Sequence, residues 1–166
     1  MKNLVCTFLT LTILLFACSI KYSAVGVDIP VEAKTIAIKP FANNAALVNL
    51  KLSNELTTQL IDKFNNTTRL SVVDSRGDLS LEGEIVSYNV TSAAVGNDMA
   101  TMNRLTIGIR IEYENKYDEE KSCSKTFSRY VDFDASLSLS QVEDRLVSEI
   151  CEALVDDIFS ATVGNW

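Results

Sequence analysis

The sequence contains no histidine, the side chain that most often serves proteins as general base and as metal ligand. Ser-His-Asp and Cys-His catalysis and ordinary zinc sites are therefore excluded. No glycine-rich phosphate loop and no other metal constellation stands out in the sequence. We accordingly expect no enzyme, no cofactor and no metal site.

Basic side chains are also scarce, with 15 Lys and Arg against 22 Asp and Glu and a formal net charge of −7. Nucleic-acid binding depends on Lys and Arg contacts to phosphates, so this balance predicts no nucleic-acid partner. The hydrophobic content of 47% and charged content of 22% are ordinary for a folded domain.

Cysteine is too rare to form a disulfide framework. Cys6 and Cys18 lie near the N-terminus, and only Cys123 and Cys151 belong to the body of the chain. Those two could form one disulfide, but Cys151 lies on a predicted buried helix face, where a free thiol acts as a small hydrophobe. The sequence leaves their pairing open.

The N-terminus has the pattern of a secretion signal. Lys2 precedes an apolar run at 4–17, which is short for a membrane span. The run ends in Leu15-Phe16-Ala17-Cys18, which resembles a lipobox apart from the bulky Phe16. We predict a signal peptide at 1–17, lipid attachment at Cys18 and a tether at 18–32. An ordinary secretory signal or an N-terminal membrane anchor is the alternative.

The first half of the mature chain alternates between strand and helix periods. Strands are predicted at 34–40, 68–75 and 79–90, the last with a bulge or bend at Gly83, where the parity of the apolar residues changes. A turn is expected at 41–44. A helix is then predicted up to Asn65. Four apolar residues recur at a spacing of four, namely Leu52, Leu56, Leu60 and Phe64. Leu50 and Ile61 widen this apolar stripe.

The second half contains the clearest strand, at 104–114, where apolar and polar residues alternate strictly. A long connection is expected at 91–102, a polar hairpin tip at 116–124 and a returning strand at 125–133. Ser140 and Glu143 predict a capping box that opens a closing helix. The fold class is α+β, a two-layer sandwich with two helices packed on one face of a mainly antiparallel four- to five-stranded sheet.

The segments taken together resemble the lipopolysaccharide-assembly lipoprotein family LptE, in its Bacteroidota form. The resemblance covers nearly the whole mature chain, with the domain at 33–166. It is carried by an ordered series of short motifs: Cys18 with Tyr22, 35–38 with 41–43, 67–70, 78–85 with 87–88, 103–107, 115–116, 127–130, 132–133, 157–159 and 165–166. This resemblance implies a non-enzymatic partner of the barrel protein LptD, held by lipid on the periplasmic side of the outer membrane.

Two groups of residues are candidate contacts to lipopolysaccharide or to the barrel. Arg104 and Arg110 share one strand face and could meet phosphates or acidic groups. The alternative is a solvated face with cross-strand ion pairs to residues such as Glu112. The connection 91–102 is mildly apolar through Val95, Met99 and Met102, and we expect it to contact the barrel unless it is a plain mobile loop.

The sequence therefore predicts a lipid-anchored membrane protein that assists lipopolysaccharide transport and assembly together with an LptD-type barrel. The alternative function is a periplasmic structural lipoprotein that binds peptidoglycan or another envelope protein.

Overall fold

The structure is a computed structural model that describes residues 27–47, 49–96 and 99–164, with no side chains given for residues 94–96, 99 and 100. The predicted signal peptide, Cys18 and most of the predicted tether lie outside these residues. The described elements are β1 (Thr35–Ile38), β2 (Ala42–Asn43), α1 (Leu52–Thr67), β3 (Ser71–Val73), β4 (Leu79–Gly96), β5 (Met99–Asn115), a short 3₁₀ helix (Glu119–Lys121), β6 (Cys123–Asp134) and α2 (Leu139–Val163).

The strands form a single six-stranded sheet in the order β3-β1-β4-β5-β6, with β2 also paired to β4. Neighbours β4, β5 and β6 are antiparallel, whereas β1 is parallel to both β3 and β4, and β2 is parallel to β4. The α+β class with two helices is confirmed. The prediction of a mainly antiparallel sheet of four to five strands is wrong, because the sheet is mixed and larger.

The parallel pairing arises where the chain passes from β3 to β4 across the middle of β1. Gly77 lies against the backbone of β1, and a Cβ atom there would come within 2.5 Å of the Ala37 nitrogen. Connections this short normally join antiparallel neighbours in a hairpin. Glycine instead allows the crossing, and β3 and β4 flank β1 in parallel.

Asp78 fixes this crossing at the start of β4. Its Oδ2 atom accepts hydrogen bonds from the Lys34 amide (2.9 Å), the Thr35 amide (3.2 Å) and the Thr35 hydroxyl (3.1 Å), and its Oδ1 atom accepts one from the Tyr117 hydroxyl (3.2 Å). The bond from Lys34 is the main reason that the pKa of Asp78 is lowered. One carboxylate thus joins β1, β4 and the β5–β6 turn.

The core lies between one face of the sheet and both helices, as predicted. The rings of Phe64 on α1 and Phe159 on α2 meet edge to face, with centroids 5.2 Å apart. The strict alternation of β5 points its apolar side chains into this core. Its fully or almost fully buried members include Leu105, Ile107, Ile109, Ile111 and Tyr113 from β5, Leu56 and Leu60 from α1, and Leu146, Ile150, Leu154 and Ile158 from α2. No helix in the described ranges is both long and apolar enough to cross a membrane.

The parity change in β4 comes from a bulge at Val86 rather than from Gly83. The register with β5 shifts between Ile85 and Ser87, so Ile85 keeps the inward parity of the preceding residues and Tyr88 resumes it after the extra residue. Gly83 has another role, because a Cβ atom there would lie 2.3 Å from the ring of Phe41. The glycine provides room for that ring.

Three local predictions before the helices are also wrong. Residues 42–43 form a strand rather than a turn, because they pair with β4. Leu50 is 86% exposed and precedes α1, whose first turn is capped by the Asn49 side chain. The capping box of α2 is formed by Ser138 and Gln141, whose Oε1 atom accepts the Ser138 amide at 2.9 Å, and not by Ser140 and Glu143.

Candidate functional site

Arg104 and Arg110 lie on the sheet face opposite the helices, and each has a carboxylate partner on a neighbouring strand. Arg104 binds Asp132 of β6 through two nitrogen atoms, at 2.7 and 2.9 Å. Arg110 binds Glu84 of β4 at 2.6 Å. The cross-strand ion pairs proposed as the alternative are therefore present, with partners other than Glu112.

These partners follow from the strand register. Asp132 lies directly opposite Arg104, and Glu84 lies directly opposite Arg110. Glu84 also accepts a 2.6 Å hydrogen bond from Asn44, so both of its oxygen atoms are used. The face carries matched charges at these positions, and exposed pairs of this kind contribute at most about 1 kcal/mol each to stability.

Tyr130 occupies the same face beside Arg104. Its ring is 56% exposed, and the Arg104 guanidinium carbon lies 3.7 Å from the ring centroid. Thr106 is directly opposite Tyr130 on β5. The combination of an exposed aromatic ring, a guanidinium group and a carboxylate was not predicted from the sequence, because it depends on the pairing of β5 with β6.

The predicted connection at 91–102 is not a loop, because β4 continues to Gly96 and β5 begins at Met99. Val95 pairs with Ala100, and Met99 pairs with Gly96, so both lie at the end of a long hairpin. The side chains of Val95 and Met99 are not among those that the structure describes. Met102 is half-buried and lies opposite Asp134, where β6 ends. The hairpin end, defined as the described residues 91–96 and 99–102, therefore extends past β6.

Exposed leucines lie near the same end of the sheet. Leu47, Leu50 and Leu137 are 57%, 86% and 40% exposed. The loop that carries Leu47 and Leu50 is held by Asn49, whose Nδ2 atom donates a 2.8 Å hydrogen bond to Glu143 on α2. Polar contacts thus hold a loop that presents apolar side chains to solvent. We call these three residues the leucine rim.

The first described residues lie at the opposite end of the domain. Val27 forms an isolated bridge with Gly164, and the Asp28 amide donates a 2.7 Å hydrogen bond to the Val163 carbonyl. Lys121 of the β5–β6 turn binds the Asp28 carboxylate at 2.6 Å. The chain therefore enters the domain beside the C-terminal end of α2, far from the hairpin end.

A polar depression of about 620 Å³ lies near this entry point and is lined by residues that include Asp78, Glu114 and Asn115. The Nδ2 atom of Asn115 is buried there without a hydrogen-bond partner among the described residues. Among the residues that the structure describes, no group of three or more acidic, cysteine or histidine side chains is arranged to hold a metal ion.

Both described cysteines are free thiols. Cys151 is fully buried on α2, and burial raises the pKa of its thiol to about 12. Cys123 is half-buried at the start of β6, and its Sγ atom lies 4.0 Å from the Ala161 carbonyl oxygen. The sequence left open whether Cys123 and Cys151 form a disulfide, and in the structure they do not.

The sequence profile of the LptE family, described as lipopolysaccharide assembly, matches residues 33–162. This span covers most of the chain and all of the described strands. The chain belongs to the LptE family. The resemblance inferred from the short motifs is thereby confirmed at the level of the family. Membership in a lipopolysaccharide-assembly family also agrees with the expectation of a non-enzymatic role.

Solved lipoproteins share the fold of this LptE-family chain. Rare lipoprotein B from Shewanella oneidensis superposes with a TM-score of 0.54 at 15% identity, covering 77% of this chain and 92% of the other. Lipoprotein B from Nitrosomonas europaea gives a TM-score of 0.51 at 16% identity, covering 80% and 82%. No curated protein sequence matches the chain significantly. At these identities the structural similarity is one of fold.

Proposed function

We propose that this LptE-family protein is an outer-membrane lipoprotein that partners an LptD-type barrel in lipopolysaccharide transport and assembly. The family match supports the process. The observation that carries the proposal is the position of the two ends of the domain. The N-terminal segment enters at one end, whereas the hairpin end and the leucine rim lie at the other.

The entry end is suited to a lipid anchor. Val27 lies nine positions after Cys18, and nine extended residues span at most roughly 32 Å. A lipid on Cys18 would therefore keep this end of the domain close to the periplasmic surface of the outer membrane. Two or three acyl chains on that cysteine would give durable attachment.

The hairpin end is suited to a protein partner. β5 has 17 residues, which corresponds to roughly 55 Å at about 3.3 Å per residue, so the hairpin end lies well away from the entry end. The leucine rim gathers three exposed apolar side chains at this end, and clustered exposed apolar residues mark interaction sites. We infer that the leucine rim, Val95, Met99 and Met102 contact the barrel.

Co-purification from detergent extracts tests this proposal. A tagged full-length chain should recover an LptD-type barrel, identified by mass spectrometry. The double variant Leu47→Asp/Leu50→Asp should reduce that recovery at least about tenfold, since each buried leucine contributes about 1.5–3 kcal/mol to an interface. Val31→Asp is the matched control, because Val31 is 80% exposed in the N-terminal segment near the entry end and should not affect recovery.

Recovery of the chain without any barrel, combined with normal surface lipopolysaccharide after depletion, would contradict the proposal. Retention on purified cell-wall sacculi in the same experiment would favour the peptidoglycan-binding alternative. The variant Cys18→Ala tests the lipid anchor separately. We expect the variant protein to be lost from the membrane fraction after cell fractionation.

Arg104 and Arg110 are the proposed lipopolysaccharide contacts of the polar face. Reversing both charges with Arg104→Glu/Arg110→Glu removes two ion pairs and places four acidic groups where two neutral pairs stood. We expect weaker lipopolysaccharide binding, measured by titration with lipopolysaccharide micelles. Unchanged binding would exclude both arginines as contacts.

A further inference from the structure

Tyr130 places an aromatic ring on the hydrophilic face of the sheet, more than half exposed. Ser128 and Asp132 flank it along β6, and Thr106 lies opposite it on β5. Asn89 on β4 is in turn opposite Thr106. The ring is therefore surrounded by hydroxyl, amide and carboxylate groups rather than by apolar side chains.

Arg104, Tyr130 and Asp132 form a fixed group, which we call the Tyr130 cluster. The Arg104 guanidinium stacks on the ring at 3.7 Å and is held by both oxygen atoms of Asp132. These contacts restrict the side chains of Arg104 and Asp132 before any ligand arrives. Preformed groups of this kind lower the entropy that a ligand must lose on binding.

The positive charge of Arg104 is balanced by the negative charge of Asp132, and this balance favours uncharged ligands over anions. The donors of Arg104 that Asp132 leaves free could meet a phosphate group, but the phosphate would then lie beside the Asp132 carboxylate and be repelled by it. An uncharged ligand meets no such obstacle. Hydroxyl groups both donate and accept hydrogen bonds, so they can bind a carboxylate and a guanidinium group together.

The flat surface beside Tyr130 suits a ring-shaped ligand. Gly108 of β5, which has no side chain, lies opposite Ser128, and the Ser87 hydroxyl covers the position that a Cβ atom of residue 108 would occupy. A pyranose sugar has a C–H face that stacks on an aromatic ring and hydroxyl groups around its edge. The ring of Tyr130 suits the C–H face of the sugar, and the polar side chains around it suit the hydroxyl groups.

We propose that the Tyr130 cluster binds a sugar ring in the saccharide part of lipopolysaccharide, through the ring face of Tyr130 opposite the one on which Arg104 stacks and through the polar edges of Arg104 and Asp132. This inference rests on the proposed function, because that function supplies lipopolysaccharide as the glycolipid. It assigns the cluster to the sugars of the molecule and not to its phosphates.

Saturation-transfer NMR with the detergent-solubilised full-length lipoprotein tests the inference. The probe is the oligosaccharide released from lipopolysaccharide after removal of its acyl chains and phosphates. We expect saturation of the sugar C–H protons and an affinity that falls about tenfold in Tyr130→Ala, near the upper limit for one stacked ring. Tyr130→Phe keeps the ring and should keep most of the affinity.

Tyr117→Ala is the matched control, since Tyr117 is a 44% exposed tyrosine at the other end of the sheet and should leave the affinity unchanged. Inorganic phosphate is the competing probe and should not displace the oligosaccharide. Equal affinity in the wild type and Tyr130→Ala, or displacement by phosphate, would overturn the inference. If the oligosaccharide does not bind although the barrel still co-purifies, this inference fails and the proposed function stands.

Discussion

The hydroxyl group of Tyr88 donates a 2.5 Å hydrogen bond to Glu143 and thereby joins the sheet to the first turns of α2. Glu143 also accepts the hydrogen bond from Asn49, so the same carboxylate holds the loop of the leucine rim. Tyr88 is 3% exposed, and its burial, together with the bond to Glu143, raises the pKa of its hydroxyl well above the usual value.

Replacing this hydroxyl should destabilise the fold in a pH-dependent way. Tyr88→Phe should lower the free energy of unfolding by about 1 kcal/mol at pH 7, the typical contribution of one hydrogen bond. Because the folded-state pKa is raised, this contribution is complete below the unfolded-state value near pH 10 and is lost as the pH rises further. In urea unfolding, the difference in the free energy of unfolding between Tyr88→Phe and wild type should be smaller at pH 10.5 than at pH 7. An equal difference at both values would contradict the assignment.

Two glycines should respond very differently to the same substitution. Gly77→Ala places a Cβ atom 2.5 Å from the backbone nitrogen of Ala37, whereas Gly108→Ala places one 2.4 Å from the hydroxyl of Ser87, a side chain that can move. We expect the first change to cost about 3 kcal/mol or more and the second about 1 kcal/mol. Thermal unfolding measures both, and Ser87→Ala should relieve only Gly108→Ala. Similar losses would argue against the crossing at Gly77.

Asp78 should contribute to stability at neutral pH and lose that contribution in acid. Its pKa is lowered by bonds from the Lys34 amide and from Thr35, so the contribution is present above the ordinary aspartate value near 3.8 and disappears as the pH falls through the lower folded value. Asp78→Asn should destabilise the protein at pH 7 and flatten the stability profile below pH 4 in urea titrations. Asp74→Asn, a change at an exposed neighbour, is the control. A profile for Asp78→Asn that stays as steep as that of wild type would refute this role.

The two thiols of the domain should differ in reactivity. Cys123 is half-buried and should react with iodoacetamide in the native protein, whereas Cys151 is fully buried with a pKa of about 12 and should react only after unfolding. Peptide mass spectrometry before and after denaturation distinguishes the two sites. A peptide that links Cys123 to Cys151 would contradict the free thiols, and early labelling of Cys151 would contradict its burial.

Residue patterns within single elements were sufficient to predict most of the core. The alternation around Ile107 and Ile109 correctly predicted a strand with one covered face, and the spacing of Leu56 and Leu60 predicted α1. Such patterns depend only on the repeat of one element. They failed at Leu50, where the apolar residue lies outside the helix that its spacing had suggested.

Features that depend on pairing between distant strands could not be predicted in this way. The partners of Arg104 and Arg110 come from two different strands, and the strand register decides which carboxylate is opposite. The Tyr130 cluster has the same origin. The crossing at Gly77 also depends on pairing between strands, because a short turn usually joins two strands as a hairpin and only the contact with β1 shows otherwise.

The position of β1 determines how the domain responds to a pull through its N-terminal segment. Tension along that segment first acts on the bridge at Val27 and on the hydrogen bond and ion pair of Asp28, and it then reaches Thr35, where Asp78 binds the start of the strand. β1 is hydrogen-bonded on both sides, and a pull along its axis loads these bonds together in shear rather than one at a time. The domain therefore resists unfolding at β1, the strand on which a pull through the N-terminal segment acts.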